Sequence, residues 1–382
     1  MITKKRVAII AGGVVLGAAL FLFITEYLFF FPFTYYSLDI ECHTKLTQST
    51  DEVTVLFVGD IMLDETARAS VRSFGYDYPF VKTKHLIERA DVAIGNLEGP
   101  VTSKCTKIPG KKWSYQVSPR AARGLAVAGF DGMILANNHM TDCGDAGITE
   151  SIQHLNAAGV VPFGGGLTPQ AARKPYIVKR KGVTIGVLAY LAPYIYLKGK
   201  KFSYFNYSAS RYHGGGAYGL RRDVKADVKA LKAKVDVVVV VYHVGDRYIK
   251  KLRPDHMKML HGTIDMGADA VVCHGTHIAG PVGSYKGRPV IQGVGNFAFG
   301  SVNPWATFGL ISVLHINRTT KRITRTQNIP VYTNNFKPLV NHRPLVLKGL
   351  MARKFLTSLM ERSAPFESRL VRHGNKLWQR FP

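Results

Sequence analysis

From Val53 onward the chain alternates short, largely unbroken apolar runs with stretches of helical periodicity. Val53–Val58, Val92–Ile94, Gly132–Ala136, Val183–Ala189, Val235–Tyr242 and Ala270–Cys273 are mostly aliphatic, and their length predicts strands. Apolar residues on successive positions, rather than alternate ones, predict strands covered on both faces. Ala146–Ala158 and Arg221–Lys234 repeat their apolar residues at helical spacing and predict helices. The pattern implies an α/β domain built on a central, covered sheet.

These runs share one feature at their carboxyl ends. Nearly every one leads into a polar residue able to bind a metal: Asp60, Asn96 and Glu98, Asn138 and His139, His243, and His274. Active sites of α/β sheets lie in the crevice outside those strand ends. Scattered acids and histidines would not respect strand ends so regularly.

The hydropathy of the first forty residues has a different origin. An uncharged run from Val7 to Thr25, continued from Tyr27 to Phe33 after Glu26, is long enough to cross a bilayer as a helix. Lys4, Lys5 and Arg6 precede it, which predicts a cytoplasmic amino terminus and an extracytoplasmic remainder. A cleaved signal peptide is the competing interpretation, but it should be shorter and end on small residues. This run ends on Tyr27-Leu28-Phe29-Phe30-Phe31-Pro32-Phe33, which suits a membrane interface. The expected organisation is a cytoplasmic stub (1–6), a transmembrane signal anchor (7–33), a linker (34–52), one domain (53–331) and a basic extension (332–382). That extension is expected as a helix pair or a basic arm, and Phe202–Gly219, with three successive glycines, as a loop or insertion.

Composition sharpens the partner class. Lysine and arginine number 51 against 25 acids, a formal charge of +26, which favours anionic partners. An extracytoplasmic domain leaves acidic lipid and polyanionic polymer as candidates and removes nucleic acid. The cysteines, Cys42, Cys105, Cys143 and Cys273, show no C-x-x-C pair and so no zinc knuckle. An oxidising compartment permits a disulfide, with Cys105–Cys143 the first pair to test, and four buried thiols are the alternative.

Two divalent cations held close together need a bridging carboxylate, further oxygen ligands and imidazoles. Asp60, Glu98, Asn138, His243, His274 and His277 supply that inventory, and His139 beside Asn138 could donate a proton instead. Gly59-Asp60-Ile61-Met62-Leu63, Asn96-Leu97-Glu98-Gly99-Pro100, Ala136-Asn137-Asn138-His139 and Asp142 with Gly144 occur in that order. His243-Val244-Gly245-Asp246-Arg247-Tyr248, Gly267-Ala268-Asp269 and Gly295-Asn296-Phe297 follow. Together, over Val53 to Ser301, they resemble the CapA/PgsA-type poly-γ-glutamate capsule proteins of the metallophosphoesterase (calcineurin-like) superfamily. The resemblance implies a four-layer α/β/β/α sandwich with two divalent metal ions, whether manganese, zinc or iron. It further implies Asp60, Glu98 (in the bridging place), Asn138, His243, His274 and His277 as ligands. His139 would be the catalytic proton donor, with Asn96, Asn137, Asp142 and Asn296 in support.

The chain departs from that family pattern in places. The usual G-H-H-P-H is here Cys273-His274-Gly275-Thr276-His277, so its histidines stand three apart. The usual H-W-G-x-E-Y has Arg247 in place of its acid, and Met62 stands where catalytic phosphoesterases carry a histidine. Plainer roles also exist: Asp60 and Asn138 as helix caps, His139 as a structural histidine, and His85, His154, His213, His256 and His261 as ordinary surface or helix histidines.

The expectation is a membrane-anchored protein that handles an anionic polymer such as poly-γ-glutamate, alongside other membrane subunits of a synthase. An extracytoplasmic phosphoesterase and a non-catalytic scaffold of the synthase complex are the rival expectations. Topology is directly testable. A reporter active only outside the cell, fused after Ser49, is expected to be active; an inactive fusion removes the extracytoplasmic assignment.

Overall fold

The computed structural model describes residues 45–106, 111, 113–197, 200–203, 205–244, 247–335 and 341–382. The anchor expected at 7–33, with Cys42 and Asp246, lies outside the described residues; among these no helix is long and apolar enough to cross a membrane.

The first sheet begins with four parallel neighbours, β1 (Glu52–Met62), β2 (Val92–Leu97), β3 (Gly132–Ile134) and β4 (Val161–Phe163). Helices α1 (Ala67–Phe74), α2 (Arg120–Val127) and α3 (Gly144–Ala157) lie in the crossovers. The second sheet is formed by β5 (Tyr176–Arg180), β6 (Val183–Leu191), β7 (Val237–His243), β8 (Ala270–His274), β9 (Val282–Tyr285) and β10 (Arg288–Ile291), in the order β9-β10-β8-β7-β6-β5. Helices α4 (Arg221–Lys232) and α5 (Pro254–Asp265) precede β7 and β8. The chain then returns to the first sheet through β11 (Asn296–Phe299), β12 (Phe308–Asn317), β13 (Ile323–Tyr332) and β14 (Leu345–Val346). After helix α6 (Gly349–Ser363), a hairpin of β15 (Val371–His373) and β16 (Lys376–Arg380) completes the order β15-β16-β13-β12-β1-β2-β3-β4.

The alternation of side chains explains why the sequence runs are apolar throughout. On β1, Val53, Val55 and Phe57 enter the core between the sheets, where they join Ile185, Val187, Val239, Val241 and Val272. Leu56, Val58 and Ile61 point the other way, onto Phe80, Leu86, Leu125, Ile148 and Leu155. The outer face of the second sheet, Val238, Val240 and Val271, is covered by Val224, Val228 and Leu231 of α4 and Leu260 and Ile264 of α5. Three apolar seams thus divide four layers, α/β/β/α. Each fully buried aliphatic side chain contributes on the order of 1.5–3 kcal/mol.

Several elements differ from the sequence expectation. β1 extends past Val58 to Met62, because it changes partner midway: β12 pairs antiparallel up to Phe57, and β11 pairs parallel from Asp60. Gly59 allows that exchange, since a Cβ there would lie 2.1 Å from Gly295 O. β3 stops at Ile134, short of Ala136. Phe202–Gly219 is not wholly loop: Lys200–Ser203 pairs with Tyr194–Leu197, and Gly215–Gly216 pairs with Gly165–Gly166. Nor, among the described residues, is Tyr332–Pro382 a helix pair or a free arm. It supplies one helix, whose Phe355, Leu356 and Leu359 enter the inter-sheet core, and a hairpin whose β16 pairs with β13. Its basic composition reflects exposed positions around buried Leu356, Leu359 and Leu377.

Candidate metal centre

The parallel strands of both sheets end at one edge of the sandwich, and the candidate residues meet there. Asp60 lies in β1, Asn96 in β2, and His243 and His274 are the last residues of β7 and β8. Glu98 follows β2, and Asn137, Asn138 and His139 follow β3. Asn296 opens β11, and His277 lies in the turn after β8.

Asp60 is fully buried and is met from both sheets. Asn96 Nδ2 donates to its Oδ1 at 2.8 Å, and Gly275 N–H donates to its Oδ2 at 3.3 Å. His274 Nδ1 stands 3.3 Å from Oδ1, and His277 Nδ1 stands 3.2 Å from Oδ2. Burial works to raise Asp60, but hydrogen bonds and charge from His274 and His277 outweigh it and hold the carboxyl far below its usual range. Glu98 is surrounded by imidazoles at longer range: His277 Nε2 at 3.8 Å, and His139 Nε2 and His243 Nε2 each at 4.0 Å. Burial, opposed by His277 and reinforced by Asp60 and Asp142, pushes Glu98 well above the carboxylate range.

The remaining candidates complete the ring. His243 Nε2 lies 2.9 Å from Asn138 Oδ1, and burial lowers its pKa to about 3. Asn137 Nδ2 donates to Asn96 Oδ1 at 3.2 Å and to Leu97 O at 2.8 Å, while its own Oδ1 accepts from His139 N–H. His277 Nδ1 also meets Asn296 Oδ1 at 2.9 Å; burial disfavours its charge, but Glu98 and Asp60 raise it to about 9. His139 Nδ1 donates to Asp142 Oδ2 at 2.8 Å, which aims Nε2 towards Glu98. Every candidate named from the sequence therefore falls in one cluster, and none stands apart from it.

The three-residue histidine spacing closes through an unusual turn. Gly275 has φ 87° and His277 has φ 59°, so the chain doubles back and both imidazoles face Asp60. A Cβ on residue 275 would lie 2.8 Å from His243 Nε2, which gives the glycine at this departure from the family pattern a local reason.

Sequence reasoning missed the walls. Lys111 reaches in from the 101–117 segment, Tyr115 stacks on His139 with ring centroids 4.2 Å apart, and Phe299 and Tyr248 flank His277 at 5.1 and 5.9 Å. These residues follow no apolar period and contain no ligand type that would mark them. The neighbouring Cys105 and Cys143 are disulfide-bonded, and Cys273 is a buried free thiol.

The donor set fits a cation. Asp60, Glu98 and His243 offer ligand atoms that all lie within 4.8 Å of one another. Glu98 Oε2 and His274 Nε2 are buried without a hydrogen bond, a costly state that a cation would relieve. Carboxylate, amide and imidazole together suit a borderline divalent metal.

Residues 54–301 match the bacterial capsule synthesis protein PGA_cap family. The chain belongs to that family. It is similar to the capsule biosynthesis protein CapA of Bacillus anthracis, 26% identical over 66% of this chain and 61% of that one. It is also similar to the PGA biosynthesis protein CapA of Bacillus subtilis, 27% identical over 66% of this chain and 65% of that one. The chain thus spans under two thirds of the length of these relatives. Among solved structures it resembles the calcineurin-like phosphoesterase YfkN of Bacillus subtilis, with 14% identity, a TM-score of 0.41, and coverage of 73% and 85%.

If this PGA_cap site holds metal, Glu98→Ala and His243→Ala should each lose most bound transition metal, measured by elemental analysis, while circular dichroism stays unchanged. His277→Ala tests the altered spacing. Metal retained in that variant would place His277 outside the ligand set.

Proposed function

We propose that this protein is a membrane-anchored, extracytoplasmic component of poly-γ-glutamate-type capsule polymer handling, with a dinuclear metal site that hydrolyses or transfers at the polymer or its carrier. The observation that carries the proposal is the pair of buried ligand atoms without a hydrogen bond, Glu98 Oε2 and His274 Nε2, inside a PGA_cap domain. Capsule and PGA biosynthesis are the roles named for the two CapA relatives, and extending them to this chain is part of the proposal.

Asp60, Glu98, Asn138, His243, His274 and His277 would hold the cations. Bound divalent ions would supply an activated water and draw charge from the scissile centre. The side chains have separate tasks. Asp142 fixes the Nδ1 side of His139, leaving Nε2 as the atom that passes a proton to a leaving group. Asn96 locks Asp60, and Asn137 ties Leu97 at the end of β2 to the His139 N–H after β3, so the donors are set before substrate arrives. Tyr115 and Phe299 exclude water from the two histidines that they cover. The +26 balance draws a polyanion to the domain at long range.

A salt-free assay on the reacting residues and a salt series on binding separate these parts. His139→Ala should keep its metal and lose turnover of a phosphoester substrate by about 10²–10⁴-fold. Affinity for poly-γ-glutamate should fall steeply as salt rises, because exposed charges are screened within about 8 Å at physiological ionic strength. Salt-independent binding would remove charge from the explanation.

A further inference from the structure

Lys111 enters the centre from a segment to which the proposed chemistry assigns no role. Its Nζ donates to Asn138 O at 2.7 Å and to Asp142 Oδ1, and it lies 4.6 Å from the centroid of the Tyr207 ring. The side chain is only 13% exposed, an unusual place for a lysine. Asp142, fully buried, divides its two oxygens between neighbours. Oδ1 takes Lys111, and Oδ2 takes the Tyr115 N–H at 2.7 Å and His139 Nδ1 at 2.8 Å.

The segment is fastened at both ends to the same short stretch of chain. Cys105 is disulfide-bonded to Cys143, the residue next to Asp142. Thr102 Oγ1 and Ser103 N–H both donate to Glu150 Oε2 in α3, at 2.6 and 2.9 Å. Beyond Lys111, Tyr115 returns to Asp142 through its backbone and covers His139 with its ring.

We propose that Lys111 is a positioning residue for His139, acting through Asp142, and that the Cys105–Cys143 disulfide is the tether that keeps it in place. The proposal rests on His139 being the proton donor. A buried carboxylate that loses one charged partner is left with an uncompensated oxygen and is free to turn. Turning Asp142 would move Oδ2 away from His139 Nδ1 and release the ring from its aim at Glu98. Lysine suits the position because it supplies charge to one carboxylate oxygen and still has donors for the Asn138 carbonyl. The disulfide adds what a single lysine side chain lacks. By holding Cys105 beside Asp142 it limits how far Lys111 can drift, so the lysine does not pay the full ordering entropy of an untethered side chain.

The test uses the full chain in detergent, labelled with ¹⁵N at histidine. The hydrogen-bonded Nδ1–H of His139, identified by its absence from His139→Ala, should be visible in the wild type. It should be lost to solvent exchange in Lys111→Met and in the Cys105→Ser/Cys143→Ser double variant, and should return in Lys111→Arg. On bis(4-nitrophenyl) phosphate, Lys111→Met should lower kcat about 10–100-fold with KM and bound metal unchanged. A His139 signal that persists in Lys111→Met overturns the proposal. A wild type that hydrolyses no phosphoester removes the proton-donor role of His139, yet the NMR comparison still decides whether Lys111 holds Asp142 against it.

Discussion

Two carboxylates, Asp60 and Glu98, are buried within a few ångströms of the same imidazoles, and the rest of the site is arranged around that fact. Isolated charges in a dry interior are strongly unfavourable, so a fold keeps such a pair only where something cationic compensates it. Asp60 is compensated by protein: Asn96, Gly275 N–H, His274 and His277 all face it. Glu98 is not, since one oxygen has no hydrogen bond and the nearest imidazoles stand back at 3.8 to 4.0 Å. That asymmetry leaves Glu98 with an unmet demand for positive charge at the common edge of the two sheets.

The edge itself follows from backbone constraints. β1 can serve both β12 and β11 only because Gly59 lets Gly295 approach, and this exchange brings Asn296 beside Asp60. At the other sheet, Gly275 clears His243 and turns the chain so that His274 and His277 share Asp60. The loss of a family histidine at 275 therefore does not open the pocket. The turn that replaces it returns the next imidazole to the same carboxylate.

The sequence was informative where hydrophobic period and ligand chemistry coincide. Strands buried on both faces leave unbroken apolar runs, and their carboxyl ends carried Asp60, Asn96, His243 and His274 in plain view. Those strands were legible to within a few residues. What escaped depends on distant contacts. β12 and β13 interrupt their apolar pattern with Ser312, Thr326, Gln327 and Asn328, buried polar residues that blur any period. The carboxyl-terminal 50 or so residues looked like a basic appendage because lysines and arginines surround the few leucines that fasten them to the sheet. Lys111 and Tyr115 lie in a short irregular stretch, and only the Cys105–Cys143 pairing hinted that this stretch approaches Asp142.

The central proposal is that the cluster around Glu98 holds two metal ions. Crystals of the protein grown after exposure to manganese, iron and zinc, with anomalous diffraction recorded across each absorption edge, test it most directly. Two anomalous peaks flanking Glu98, one of them within bonding reach of His243, are the predicted result. A well-ordered pocket with no anomalous peak for any of the three metals would contradict it.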